Sequence, residues 1–156
     1  MRETLLLDVS HRQVVFTIPK MLRVFFKYKR RLLGELCRAA LRALTRYFGV
    51  VTGSALRPGV IAAVQTFGDR INFYPHLHFL VTEGGMDKAG LFHKIPRMDD
   101  SRLEEIFAWE VLHFLVRKEL LSPEWAERLL SWRQRLFLSG LWRTNSAASL
   151  PRAGRP

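Results

Sequence analysis

One cysteine, Cys37, stands in a chain of 156 residues. An internal disulfide is therefore excluded, and so is a zinc cluster built on cysteines. A single thiol fits a reducing, cytoplasmic setting. Long apolar runs are also missing. Nothing approaches the ~20 apolar residues that cross a bilayer, and the run after the N-terminus, Leu5 to Leu7, is too short for a signal-peptide core. No membrane partner is expected. Acidic residues are scarce: 14 Asp and Glu face 25 Lys and Arg, and the pI is about 10.8. So basic a chain points to a polyanion, whose phosphates release counterions on binding. A basic ribosomal or membrane-surface protein is the plainer alternative. Tyrosine is scarce too. The three residues, Tyr28, Tyr47 and Tyr74, all lie in the first half of the chain.

The apolar fraction, 48%, is ordinary for a globular protein, and the length suits one domain with a real core. "QVVFTI", residues 13–18, is β-branched and aromatic and stops at Pro19, which predicts a strand. From residue 20 to 48 the period changes. Leu22, Phe25, Phe26, Leu32, Leu33, Leu36, Ala40, Leu44 and Phe48 recur at helical steps, and Gly49 offers a stop. Lys20, Arg23, Lys27, Arg30 and Arg31 lie between them, with Lys29, Arg38, Arg42 and Arg46, and only Glu35 opposes. Such a run is commonly just a solvated face. One sign sustained over so many turns equally suits a phosphate-facing surface.

Pro58-Gly59 predicts a turn. "VIAAVQTFG" (60–68) and "HLHFLVTE" (76–83) predict two strands, antiparallel because the link is short, with Gly84-Gly85 closing the second. "LFHKI" (91–95) suits a short edge strand. Ser101 and Glu104 have the spacing of a capping box. The helix behind it would bury Leu103, Ile106, Phe107, Val111, Phe114 and Leu115. Pro123 suits the first position of another helix, with Trp125, Leu129, Trp132 and Leu136 inward. Strand, helix, two strands and helix is an α+β order, a sheet with helices packed on one face. Beyond Arg133, "NSAASLPRAGRP" has no period and few apolar anchors, so residues 134–156 are expected to be a disordered tail after a folded unit at 1–133.

His76 and His78 carry the chemical signal. In a strand, residues i and i+2 share a face at roughly 6.5–7 Å. Both imidazoles can then converge on one ion, while Leu77, Phe79 and Val81 face the core. Mg²⁺, Mn²⁺ or Zn²⁺ would suit, given a third ligand or waters. Gln65 on the neighbouring strand reaches that face if the hairpin register allows; His11, Asp8 and Glu83 are weaker candidates. Two half-buried structural histidines would give the same short pattern. His93 and His113 read as ordinary.

"HRQVVFTIPK" at 11–20 and "AAVQTFGDRINFYPHLHFLV" at 62–81, followed by "GG", resemble the rolling-circle insertion-sequence transposases, which are HUH (histidine–hydrophobe–histidine) endonucleases. The resemblance covers roughly residues 8–133. It implies a ferredoxin-like sheet with His76-Leu77-His78 on the central strand. It implies single-stranded DNA at element ends as partner, and Mg²⁺ or Mn²⁺ held by His76, His78 and a third polar residue such as Gln65. It also implies nicking and strand transfer by a tyrosine that becomes 5′-phosphotyrosine. That nucleophile lies on a helix well downstream of the histidines, where this sequence has no tyrosine. The cysteine-rich zinc module of the family is missing as well. The expectation is a truncated copy, frameshifted near 133–135, with an incomplete sheet. The alternative is a non-catalytic basic nucleic-acid-binding module.

Overall fold

The computed structural model describes residues 9–68, 72–135 and 144–146. The elements in order are β1 (His11–Thr17), a 3-10 turn (Lys20–Leu22), α1 (Arg23–Tyr28), α2 (Leu32–Thr52), β2 (Arg57–Phe67), β3 (Phe73–Met86), β4 (Phe92–Lys94), α3 (Asp100–Arg117), α4 (Pro123–Arg135) and β5 (Thr144–Ser146). The strands lie in the order β2-β3-β1-β5, every pairing antiparallel, with β4 added to the far end of β3. Leaving β4 aside, this is β-α-β-β-α-β with the last strand beside the first and the third between first and second. That is the ferredoxin-like arrangement expected for the α+β class. The histidine strand β3 is central, held by β1 and β2.

Period-2 alternation assigns the faces. Val14, Phe16, Leu77, Phe79 and Val81 are buried against the helices. Phe16 meets Phe79 edge-on at 5.2 Å and Phe107 of α3 at 4.7 Å. α2 buries Leu36, Ala39, Ala40, Ala43, Leu44, Tyr47 and Phe48, and its alanines let it approach closely. Tyr47 is a packing residue, as its place in the helix predicts, and its hydroxyl accepts the Asp99 N–H at 2.7 Å. The other sheet face carries Gln13, Val15, Ala63, Gln65, His76, His78 and Leu80, none of them fully buried.

Several boundaries differ from expectation. The helix predicted over 20–48 is interrupted at Lys29, φ −123° and ψ 75°. The apolar stripe skips a turn between Phe26 and Leu32, so nothing pulls residues 27–31 onto the sheet. The second piece runs through Gly49 and ends at Gly53, whose left-handed φ of 68° suits glycine. Pro58-Gly59 is not a turn but the bulged start of β2. Tyr74 and Pro75, which fall in the short link between the two expected strands, lie inside β3. Gly84-Gly85 does not end that strand. A Cβ at Gly84 would collide with the His93 carbonyl and the Phe92 ring, and one at Gly85 would lie 2.8 Å from Leu56 Cβ. The glycines admit β4 and the start of β2.

α3 is capped two residues before the predicted serine, because the Asp99 carboxylate accepts the Arg102 N–H at 3.2 Å. α4 presents Ala126 and Leu129 inward and leaves Trp125 and Trp132 exposed, their rings 6.2 Å apart. Two indoles are too wide for the narrow contact with α3. Leu136, Asp8 and most of the tail (136–143 and 147–156) lie outside the described residues; 144–146, inside the expected tail, form a strand against β1.

Candidate metal and nucleic-acid site

The hairpin register places Gln65 directly opposite His76, and Ala63 opposite His78. Gln65 Oε1 lies 3.1 Å from His76 Nε2. His76 Nδ1 lies 2.8 Å from the Tyr74 carbonyl, which can only accept, so Nδ1 carries the proton. In the neutral ring, Nε2 and Gln65 Oε1 are then two acceptors facing each other, with no hydrogen between them. A backbone carbonyl holding the far ring nitrogen is how metal-binding imidazoles are commonly oriented. The His78 ring is 4.9 Å from that of His76. Its Nδ1 lies 3.2 Å from Gln13 Nε2, an amide nitrogen that can only donate.

Gln13 was not singled out from sequence. The signal lay in strand pairing: Val15 faces His78 across the sheet, so Gln13 is the diagonal neighbour on that face. Two imidazoles and two carboxamides thus share one open patch, a donor set that suits divalent ions. Among the described residues no carboxylate or thiolate makes this a group of three. His11 lies opposite Thr82, four residues along β1 from Val15, and the Glu83 carboxylate is paired with Arg12 at 3.1 Å. Neither joins the cluster. His93 donates to Asp87 at 2.7 Å, and His113 stacks on Trp109 at 3.7 Å.

Burial, and secondarily the charge of His76, lowers the His78 pKa from the ordinary 6.5. A depressed histidine holds its neutral form to lower pH, and neutral imidazole is the ligand form. In an NMR titration, His78 is expected to turn over below the ordinary value. In His76→Gln it should move part of the way back, since burial remains. An unchanged midpoint in that variant would show that the rings do not sense each other.

Of the cations expected to meet phosphate, Lys20, Lys27, Arg30 and Arg31 are exposed around α1 and the break that follows it. Arg23 is half-buried, with its guanidinium carbon 3.9 Å above the Tyr74 ring. Glu110, buried on α3, takes Arg42 at 2.8 Å and Arg46 at 3.4 Å, so two surface cations of α2 already have an acidic partner. No helix among the described residues is long and apolar enough to cross a membrane.

An α+β sheet with a histidine pair on its central strand and cations at its flank is the setting in which the family comparison falls. The model of a family described as "Putative transposase" matches residues 59–140, which take in most of β2 and all of β3, β4, α3 and α4, and the chain belongs to that family. It is 33% identical over 139 residues to the transposase for insertion sequence element IS801 of Pseudomonas savastanoi pv. phaseolicola. That alignment takes in 85% of this chain and 33% of the relative, so the chain spans about a third of the curated protein it matches. No solved structure matches.

Proposed function

We propose that this chain is the metal-holding and strand-holding part of a rolling-circle transposase of the HUH type. Its single-stranded DNA would be nicked at element ends by a tyrosine that the chain itself does not supply. The observation that carries this reading is the patch on β3: His76 and His78 at 4.9 Å, with Gln65 and Gln13 within 3.2 Å of their ring nitrogens. Mg²⁺ or Mn²⁺ would be held here by His76, His78 and Gln65, which share one face of the hairpin. When bound, such an ion would neutralise charge developing on a scissile phosphate.

The chain's own groups have separate tasks. The Tyr74 carbonyl fixes the His76 ring. The Gln65 carboxamide offers a neutral oxygen, and the Gln13 amide donates to His78 Nδ1. The exposed Lys20, Lys27, Arg30 and Arg31 hold the backbone of the strand. No tyrosine follows His76 in the sequence. Tyr47 is buried with its hydroxyl engaged by Asp99, and Tyr28 stands out in solvent. That distribution also favours a second reading, a basic nucleic-acid-binding module without chemistry.

Titration with Mn²⁺, followed by the electron spin resonance of the free ion, separates the readings. His78→Ala is expected to lose Mn²⁺ binding by at least about tenfold with the thermal midpoint little changed. Equal Mn²⁺ affinity in that variant would overturn the site, while DNA binding alone would leave the non-catalytic module.

A further inference from the structure

Arg23 differs from the other cations of its segment. It opens α1, and its Nε–H donates back to the Ile18 carbonyl at the end of β1 (3.3 Å). The same guanidinium lies 3.9 Å above the Tyr74 ring, well within the ~6 Å reach of a cation–π contact. No carboxylate pairs with it among the described residues. Tyr74 in turn has its ring 5.3 Å from that of His76 and gives its carbonyl to His76 Nδ1. Arg23, Tyr74, His76 and His78 therefore form a continuous row on the open sheet face, with the cation at one end and the imidazoles at the other.

A guanidinium tethered at Nε and seated on a ring has lost most of its rotamer freedom before any ligand arrives. Its remaining N–H groups keep the fork that phosphate oxygens accept. The exposed lysines and arginines of α1 and the break must be ordered by the strand they bind. Arg23 need not be.

We propose that Arg23, seated on Tyr74, binds a phosphodiester neighbouring the one presented to the imidazole pair, and so sets the register of a single strand on the sheet. This rests on the reading that the histidine face takes single-stranded DNA. Arg23 is in this sense a positioning residue: it holds the strand one step from the chemistry. Lysine keeps its charge but not its fork or its seat on the ring.

The test uses the full chain and a twelve-residue oligothymidylate. Arg23→Gln and Arg23→Lys are each expected to weaken binding about tenfold, the scale of a charge-assisted hydrogen bond. Lys29→Gln, an exposed cation of the same segment, should weaken it only two- to threefold, about the scale of a surface charge. The second readout is Mn²⁺-induced broadening of the ³¹P signals at saturating oligonucleotide. It should fall severalfold in Arg23→Gln while Mn²⁺ affinity in the absence of DNA is unchanged. Equal losses in Arg23→Gln and Lys29→Gln, or full rescue by Arg23→Lys, would reduce Arg23 to one more surface charge and overturn the proposal. Should the wild-type chain bind no Mn²⁺, the metal part of the proposed function falls, and the affinity comparison still decides for or against Arg23.

Discussion

Truncating Phe16 to alanine is expected to remove about 3–5 kcal/mol of folding stability. The ring is fully buried and touches Phe79 on the central strand and Phe107 on α3, so it joins the sheet to the helix layer. Its removal loses the transfer energy of the ring, opens a cavity between two layers that cannot both collapse, and breaks two aromatic contacts. Against a total of about 5–15 kcal/mol for a domain, a large part of the population would unfold near physiological temperature. The urea midpoint measures this. Phe16→Leu should recover more than half of the loss, because it refills most of the volume. A loss below about 1 kcal/mol for the alanine variant would mean that the helices settle onto the sheet without the ring.

The second large effect is on binding. Replacing Lys27, Arg30 and Arg31 together by glutamine is expected to flatten the salt dependence of single-stranded DNA binding. Each phosphate neutralised on a single strand contributes about 0.7 to the slope of log affinity against log salt, so three contacts contribute about 2. Between about 50 and 200 mM salt, the wild-type chain should then lose roughly 20-fold more affinity than the variant. All three side chains are exposed, so the thermal midpoint should hardly move. Parallel salt plots for the two proteins would show that the strand runs elsewhere.

What could be read from the sequence was whatever depends on local period. Alternation put His76 and His78 on one face and Leu77, Phe79 and Val81 on the other. The short link made β2 and β3 antiparallel, which brought Gln65 opposite His76. The features that escaped depend on distances between segments. Gly84 and Gly85 look like a stop in one dimension, and only the approach of β4 and Leu56 shows why a side chain is excluded there. Gln13 is an unremarkable polar residue until β1 pairs with β3. The α4 stripe of Trp125, Leu129 and Trp132 had the right spacing, but the buried face is turned by one residue, so that Ala126 lies inward with the expected Leu129 and both indoles lie out. Asp99, Asp100 and Ser101 were all competent caps, and the Tyr47 hydroxyl holding the Asp99 amide marks where the helix begins. Glu110 reads as one acid on a helix face, and its partners Arg42 and Arg46 sit 64 and more residues away in the chain.

The break at Lys29 separates two helices of unequal anchorage. α2 is fixed by eight buried side chains and α1 by one, Phe26. Opening free energy follows such anchorage, so amides of α1 should exchange with solvent faster than those of α2 or of doubly paired β3. Arg23 therefore stands on the yielding half of the site and the imidazoles on the rigid half. A strand could be admitted by a small tilt of one short helix, with no disturbance of the sheet beneath it.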